Sequence, residues 1–209
     1  MAFSVKAPRN IFPPKGGKSL DHSLAEDLLL AIAAELDAAG IVYHLEGGTL
    51  LGLVRDGHLL PWDKDLDISV AAVDIDRAYE ALQGVTHAGW RLKRKCFKDS
   101  GELALKGTRI IKVEDRSGGM LRSGHDYLDI IAKAKVRDHV YWQVKDSIMR
   151  VCASYYDGFE EIAFRGVRLK VPVNYRDYLT EKYGNWHQVI REWDCARDEK
   201  CRLDTPHAA

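Results

Sequence analysis

Cysteine is scarce in this chain: four residues in 209, at positions 96, 152, 195 and 201, with no CxxC pair. That argues for reduced thiols in a cytoplasmic protein and against a disulfide-stapled scaffold. Cys195 and Cys201 lie near His187 and His207, but no spacing among these four matches a usual zinc pattern. An excess of charge is also missing: 31 Lys and Arg face 31 Asp and Glu, for a formal net charge of zero. A general nucleic-acid binder or a polybasic membrane binder would carry an excess of one sign, so no nucleic-acid partner is expected. No apolar run is long enough to span a bilayer; the best, Leu28 to Leu36, is short and holds Glu35. The N-terminus lacks the apolar core of a secretory signal. P-loop, GxGxxG, Ser-His-Asp and Cys-His patterns are all missing.

What is present is ordinary in bulk: 46% hydrophobic, 30% charged and 9% aromatic residues, enough for a packed core and too much for a disordered or collagen-like chain. The length suits one domain with decorations. Residues 1–18 hold Lys6, Arg9, Lys15 and Lys18, no acid, Pro13-Pro14 and Gly16-Gly17, and read as a basic flexible arm. A domain is expected over 19–190 and a charged tail over 191–209.

Leu20, Leu24, Leu28, Ile32 and Leu36 recur every four residues, which predicts an amphipathic helix stopped by Gly40. A short strand is expected over 41–45, one or two helical turns from Thr49 to Arg55, and a strand where Leu66, Ile68 and Val70 alternate with Asp67 and Ser69. Asp74 is placed to cap the next helix, which Gly84 ends. Strands are expected over 91–98 and 102–113, joined through Asp99-Ser100-Gly101, then a Gly-rich loop over 116–124 and strands over 127–132 and 167–171. Asn174 is placed to cap a last helix, stopped by Gly184. The order is that of a mixed α/β (α+β) domain.

Asp65 and Asp67 carry the chemistry. On a strand, residues i and i+2 share a face about 6.5–7 Å apart. Two like charges that close call for a cation, and paired carboxylates suit Mg²⁺ or Mn²⁺. Alone, such a pair is more often two solvated acids. Here Gly47-Gly48, with Thr49 next, sits between a strand and a helix, where backbone N–H groups and the helix dipole favour a phosphate. A third acid, Asp129, stands in a strand with apolar neighbours. Three acids beside a glycine turn suit metal-assisted phosphoryl or nucleotidyl transfer. Arg55 closes the short helix within reach of a donor phosphate. Asp63 is expected to bond loop N–H groups, Trp62 to anchor the core, Tyr183 and Trp186 to pack the last helix, and His125 to lie in solvent.

The stretch GGTLLGLVRDGHLLPWDKDLDI resembles the signature of the LicD/fukutin-related family, within the DNA polymerase β-like nucleotidyltransferase fold. RGVRLKVPVNYRDYLTEKYGNW resembles that family's closing motif. The resemblance covers about Leu45 to Trp186. It implies a nucleotidyltransferase-like mixed sheet with flanking helices and a C-terminal helical extension. It also implies a phosphate-holding turn at Gly47 and Gly48, metal at Asp65 and Asp67, and a third acid, Asp129. The implied activity is Mg-dependent transfer of a phospho-alcohol from a CDP-linked donor to a sugar or glycan hydroxyl, with CMP leaving. Two departures stand out: Lys64 occupies a position where the family often has an acid, and Ile131 to Lys135 replaces an apolar, Pro-containing stretch. Competing readings are a nucleotidylyltransferase on the same fold and a non-catalytic nucleotide- or glycan-binding module.

Overall fold

The computed structural model describes residues 20–98, 103, 105–115 and 124–203. The basic arm, the Asp99-Ser100-Gly101 turn and most of the Gly-rich loop lie outside them. Helix α1 (His22–Ala38) starts where the Asp21 carboxylate accepts the Leu24 N–H at 3.1 Å. Its Leu- and Ala-rich stripe buries Ala25, Leu28, Leu29, Ile32, Ala33 and Leu36 against the sheet. Burying each of the larger ones stabilises the fold by roughly 1.5–3 kcal/mol. Gly40, at φ +66°, ends the helix: its N–H reaches Asp37 O at 3.0 Å and the Ile41 N–H reaches Leu36 O at 2.9 Å. This pairing closes the helix end with a left-handed residue, where glycine has no Cβ penalty.

Strand β1 (Tyr43–Leu45), helix α2 (Gly47–Arg55), strand β2 (Leu66–Ala71) and helix α3 (Ile75–Ala81) follow, then a 3₁₀ segment over Leu82–Ala88. Next come β3 (Trp90–Cys96), β4 (Thr108–Asp115) and the long β5 (Asp126–Val136). The main sheet runs β1-β2-β5-β4-β3, with β2 parallel to β5 and the other neighbours antiparallel. Leu66, Ile68, Val70, Leu128, Ile130, Ile111 and Val113 fill the buried side. The far end of β5 pairs with β6 (His139–Val144), which pairs with β7 (Ser147–Cys152). A separate hairpin of β8 (Glu160–Phe164) and β9 (Val167–Val171) precedes α4 (Tyr175–Tyr183) and the short α5 (Cys195–Asp198). The architecture is mixed α/β, as expected.

Strands β6, β7 and β8 were not anticipated, and two caps differ from expectation. Asp74 makes no side-chain cap; it accepts from Arg77 at 2.6 Å instead. Asn174 sits at φ +52° with no side-chain cap, and its N–H goes to Glu160 at 2.6 Å. The segment beyond 190, set apart above as a charged tail, docks on the domain. Arg150 N–H reaches Cys201 O at 2.8 Å, Leu203 N–H reaches Ile148 O at 2.8 Å, and Cys201 is buried. Among the described residues no helix is long and apolar enough to cross a membrane.

Candidate active site

Parallel pairing of β2 and β5 sets Asp67 directly opposite Asp129, so both carboxylates stand on one face of the sheet. Asp65 immediately precedes β2 rather than lying on it. Register thus brings Asp67 and Asp129 together, with Asp65 at the entry to β2 and apolar neighbours turned to the other side. Burial raises the Asp67 carboxyl well above the usual range, and the charges of Asp65, Asp129 and Asp63 raise it further. Burial likewise lifts Asp129 to about 6, against the pull of Lys112. Asp63 is pushed to about 6 by burial and then by Asp65. Asp65 is raised by burial and lowered by Lys112. Four crowded acids resisting ionisation are what a hard cation relieves.

Gly47 and Gly48 are required at the start of α2 by those same carboxylates. A Cβ at Gly47, which is at φ +54°, would collide with the Asp67 carboxylate, and one at Gly48 with that of Asp63. Asp63 also accepts the Lys64 N–H at 3.1 Å, so it holds the loop as expected. The turn is pinned from below by two further bonds. Glu46 N–H reaches Asp67 O at 3.0 Å, and the Asp67 N–H donates to Thr49 Oγ1 at 2.9 Å.

Three of the expected phosphate ligands have partners or cover within the protein itself. Thr49 is 1% exposed and its hydroxyl oxygen serves Asp67, so it ties α2 to β2. Gly47 is buried beneath Asp67. Arg55 faces the cleft, but its fork is closed on Asp56 at 2.9 and 2.8 Å, with a longer bond of 3.4 Å to Trp186 O. Gly48 remains on the cleft wall.

The cleft measures about 440 Å³ and opens over Asp63, Asp65 and Asp67. Its far wall is aromatic: Trp62, Tyr183, Trp186 and Trp193, with the Arg191 guanidinium 5.4 Å from the Trp62 ring centre. Trp62 is half-buried on this wall rather than sealed in the core. Trp186 does pack, donating its indole N–H to Thr180 at 3.1 Å, and also faces the cleft. His125 lies in the loop just before β5, half-buried and bonded to Lys64 O at 2.9 Å.

Two groups escaped the sequence reading. Lys112, on β4 opposite Asp129, bonds both Asp129 oxygens at 2.9 and 2.8 Å and Asp126 at 2.9 Å. Glu46, 0% exposed, sits behind the glycine turn, with Lys133 Nζ at 3.2 Å and Lys182 Nζ at 3.4 Å. The hydroxyls of Tyr156, Tyr178 (2.6 Å) and Ser69 (3.0 Å) donate to it. Burial opposes its charge, but Lys133 and Lys182 overcome that and hold Glu46 at about 2. An acid directly before two glycines and a lysine inside a strand were the only hints.

The donor chemistry at Asp65 and Asp67 fits Mg²⁺ or Mn²⁺: carboxylate oxygens, crowded and short of positive charge. Among the described residues no group of three or more His, Cys, Asp or Glu side chains is gathered for a metal. The fit therefore rests on the Asp65 and Asp67 pair, with Asp129 held by Lys112.

Comparison with known proteins bears on the whole arrangement. The chain is 28% identical over 156 residues to ribitol 5-phosphate transferase FKRP of Homo sapiens, covering 73% of this chain and 30% of that protein. It is 27% identical over 178 residues to ribitol-5-phosphate transferase FKTN of Mus musculus, covering 81% and 34%. The chain thus spans about a third of the length of these relatives. Among solved structures, the lincosamide antibiotic adenylyltransferase LnuA, lincomycin-bound, superposes with a TM-score of 0.46 at 14% identity, over 74% of this chain and 84% of that one. A family model described as LicD/FKTN/FKRP, nucleotidyltransferase domain, matches residues 40–174, more than half of the sequence and all of β1 through β9. The chain belongs to the LicD/FKTN/FKRP family.

Proposed function

We propose that this protein is a divalent-metal-dependent transferase that moves a phospho-alcohol from a CDP-linked donor to a sugar or glycan hydroxyl, releasing CMP. The observation that carries this reading is Asp65 and Asp67 lining an aromatic-walled cleft, with Asp129 opposite Asp67 in the β2–β5 register. The names of the relatives, ribitol 5-phosphate transferases, support the same class of transfer.

Asp65 and Asp67 would hold the Mg²⁺ or Mn²⁺, which when bound neutralises the donor pyrophosphate and the charge that develops on transfer. The first turn of α2 offers backbone N–H groups at Gly48 to a donor phosphate oxygen. Arg55 adds positive charge once a phosphate competes with Asp56 for its fork. Trp62 and Trp186 flank the space for the pyrimidine base and exclude water. Asp129 faces the acceptor. With its carboxyl at about 6, it is matched to take the hydroxyl proton near neutral pH. The acceptor oxygen bonds to the phosphorus that carries the alcohol, the bond from that phosphorus to the CMP oxygen breaks, and CMP leaves.

The test is a panel of CTP, CDP-choline, CDP-ribitol and CDP-glycerol with Mg²⁺ and mixed oligosaccharides, read by thermal shift and CMP release. One CDP-alcohol should both stabilise the protein and yield CMP. Stabilisation by CTP alone, with pyrophosphate released, would replace this reading with nucleotidyl transfer. Stabilisation without any turnover would replace it with a binding module.

A further inference from the structure

Lys112 has no place in the mechanism above, yet it sits in the row that defines the site. The pairings Asp67 opposite Asp129 and Asp129 opposite Lys112 run straight across β2, β5 and β4. An ammonium has three N–H donors and no acceptor. All three are satisfied by carboxylate oxygens: Asp129 Oδ1 at 2.9 Å, Asp129 Oδ2 at 2.8 Å and Asp126 Oδ2 at 2.9 Å. The side chain is only 13% exposed, so the pair is shielded from solvent. Both oxygens of Asp129 grip one cation, as a carboxylate grips a metal ion in bidentate fashion. A divalent ion bridging Asp67 and Asp129 would have to draw Asp129 away from Lys112 and would lie next to an ammonium in a poorly screened setting.

We propose that Lys112 is a built-in cation that takes the place of an acceptor-side metal, so that the protein binds a single divalent ion, at Asp65 and Asp67. The inference rests on the reading that this aspartate pair holds metal. The fixed ammonium orients Asp129 toward the acceptor and supplies the positive charge that a second ion would bring. Lys112 is thus a positioning residue, acting through Asp129.

Counting bound Mn²⁺ by electron paramagnetic resonance, with CDP present, tests this without any turnover. The intact protein should bind one Mn²⁺ per chain. Lys112→Met, which keeps the stem and removes the charge, should bind two, and Lys112→Arg should return to one. Asp129→Asn should keep the single ion with little change in affinity, because Asp129 is not its ligand; this variant decides the matter even where Lys112→Met does not fold. Two ions on the intact protein would overturn the inference and leave the Asp65–Asp67 site standing. Loss of Mn²⁺ affinity by about tenfold or more in Asp129→Asn would also overturn it. No bound Mn²⁺ on the intact protein would overturn the metal reading itself, and the inference with it.

Discussion

Glu46→Gln removes a carboxylate that contacts both Lys133 and Lys182, leaving Lys182 with Glu199 at 3.4 Å. In the intact protein Glu46 is fully enclosed, at 3.2 Å from one ammonium and 3.4 Å from the other. A glutamine fills the same volume but leaves two buried ammoniums without their shared counter-charge and turns an amide N–H₂ toward hydroxyl donors. Breaking a buried pair by removing one partner costs about 3–5 kcal/mol. For a chain of this size each kcal/mol moves the melting temperature by roughly 2–4 °C, so a fall of roughly 6–20 °C is expected. The pH dependence follows from the depressed Glu46 value of about 2. A depressed acid contributes stability that is fully present above its unfolded value of about 4.3 and is lost as pH falls toward 2. The gap between intact protein and variant should therefore narrow as pH falls below about 4. Lys133, which burial lowers to about 8 against the pull of Glu46, is the ammonium most exposed to the loss. Glu46→Gln combined with Lys133→Met should recover about 2 kcal/mol or more. Urea melts across this pH range provide the assay. A loss under about 1 kcal/mol, or a double variant no more stable than the single, would refute the view that this ion cluster clamps the glycine turn.

Asp65→Asn and Asp67→Asn should each abolish CMP release while circular dichroism and melting stay near normal; near-normal rates in either would remove these residues from the chemistry. Gly48→Val should weaken donor binding, since its side chain meets the Asp63 carboxylate on the cleft wall; unchanged affinity by calorimetry would reduce the glycine to a turn residue. Stabilisation by Mg²⁺ should be largest near pH 8 and fade as pH falls through about 6. Asp63 and Asp129, both raised to about 6 by burial, then take protons in the folded state, which relieves the crowding that metal would otherwise relieve. Thermal shift with and without Mg²⁺ checks this, and an equal shift at pH 5 and pH 8 would contradict it.

The parts legible in the sequence are those set by local pattern. Every fourth residue of α1 is apolar, Gly40 can turn left-handed, and alternation in β2 and β5 aims Asp67 and Asp129 away from the core. Their meeting was legible once two acid-bearing strands were assumed to be neighbours. The parts that were not legible depend on long-range partners. Lys133 has no partner within its own strand pattern; Glu46, on another element, neutralises it. Lys112 sits in an ordinary alternating strand, and only the β4–β5 register turns it onto Asp129. The cleft wall from Tyr183 to Trp193 has little periodicity, because beyond Tyr183, the last residue of α4, it runs through turns and bends. Thr49 is a related case: its place beside the glycines suggested phosphate, and its hydroxyl oxygen accepts the Asp67 backbone N–H.

Weighing the acceptor before and after reaction tests the transfer chemistry most directly. Protein, Mg²⁺, CDP-ribitol and a mixed oligosaccharide pool should give oligosaccharides heavier by one ribitol phosphate, with CMP formed one for one. Both changes should vanish with EDTA or in Asp67→Asn. Oligosaccharides heavier by a cytidine nucleotide, or a mass gain that persists without divalent metal, would contradict the account.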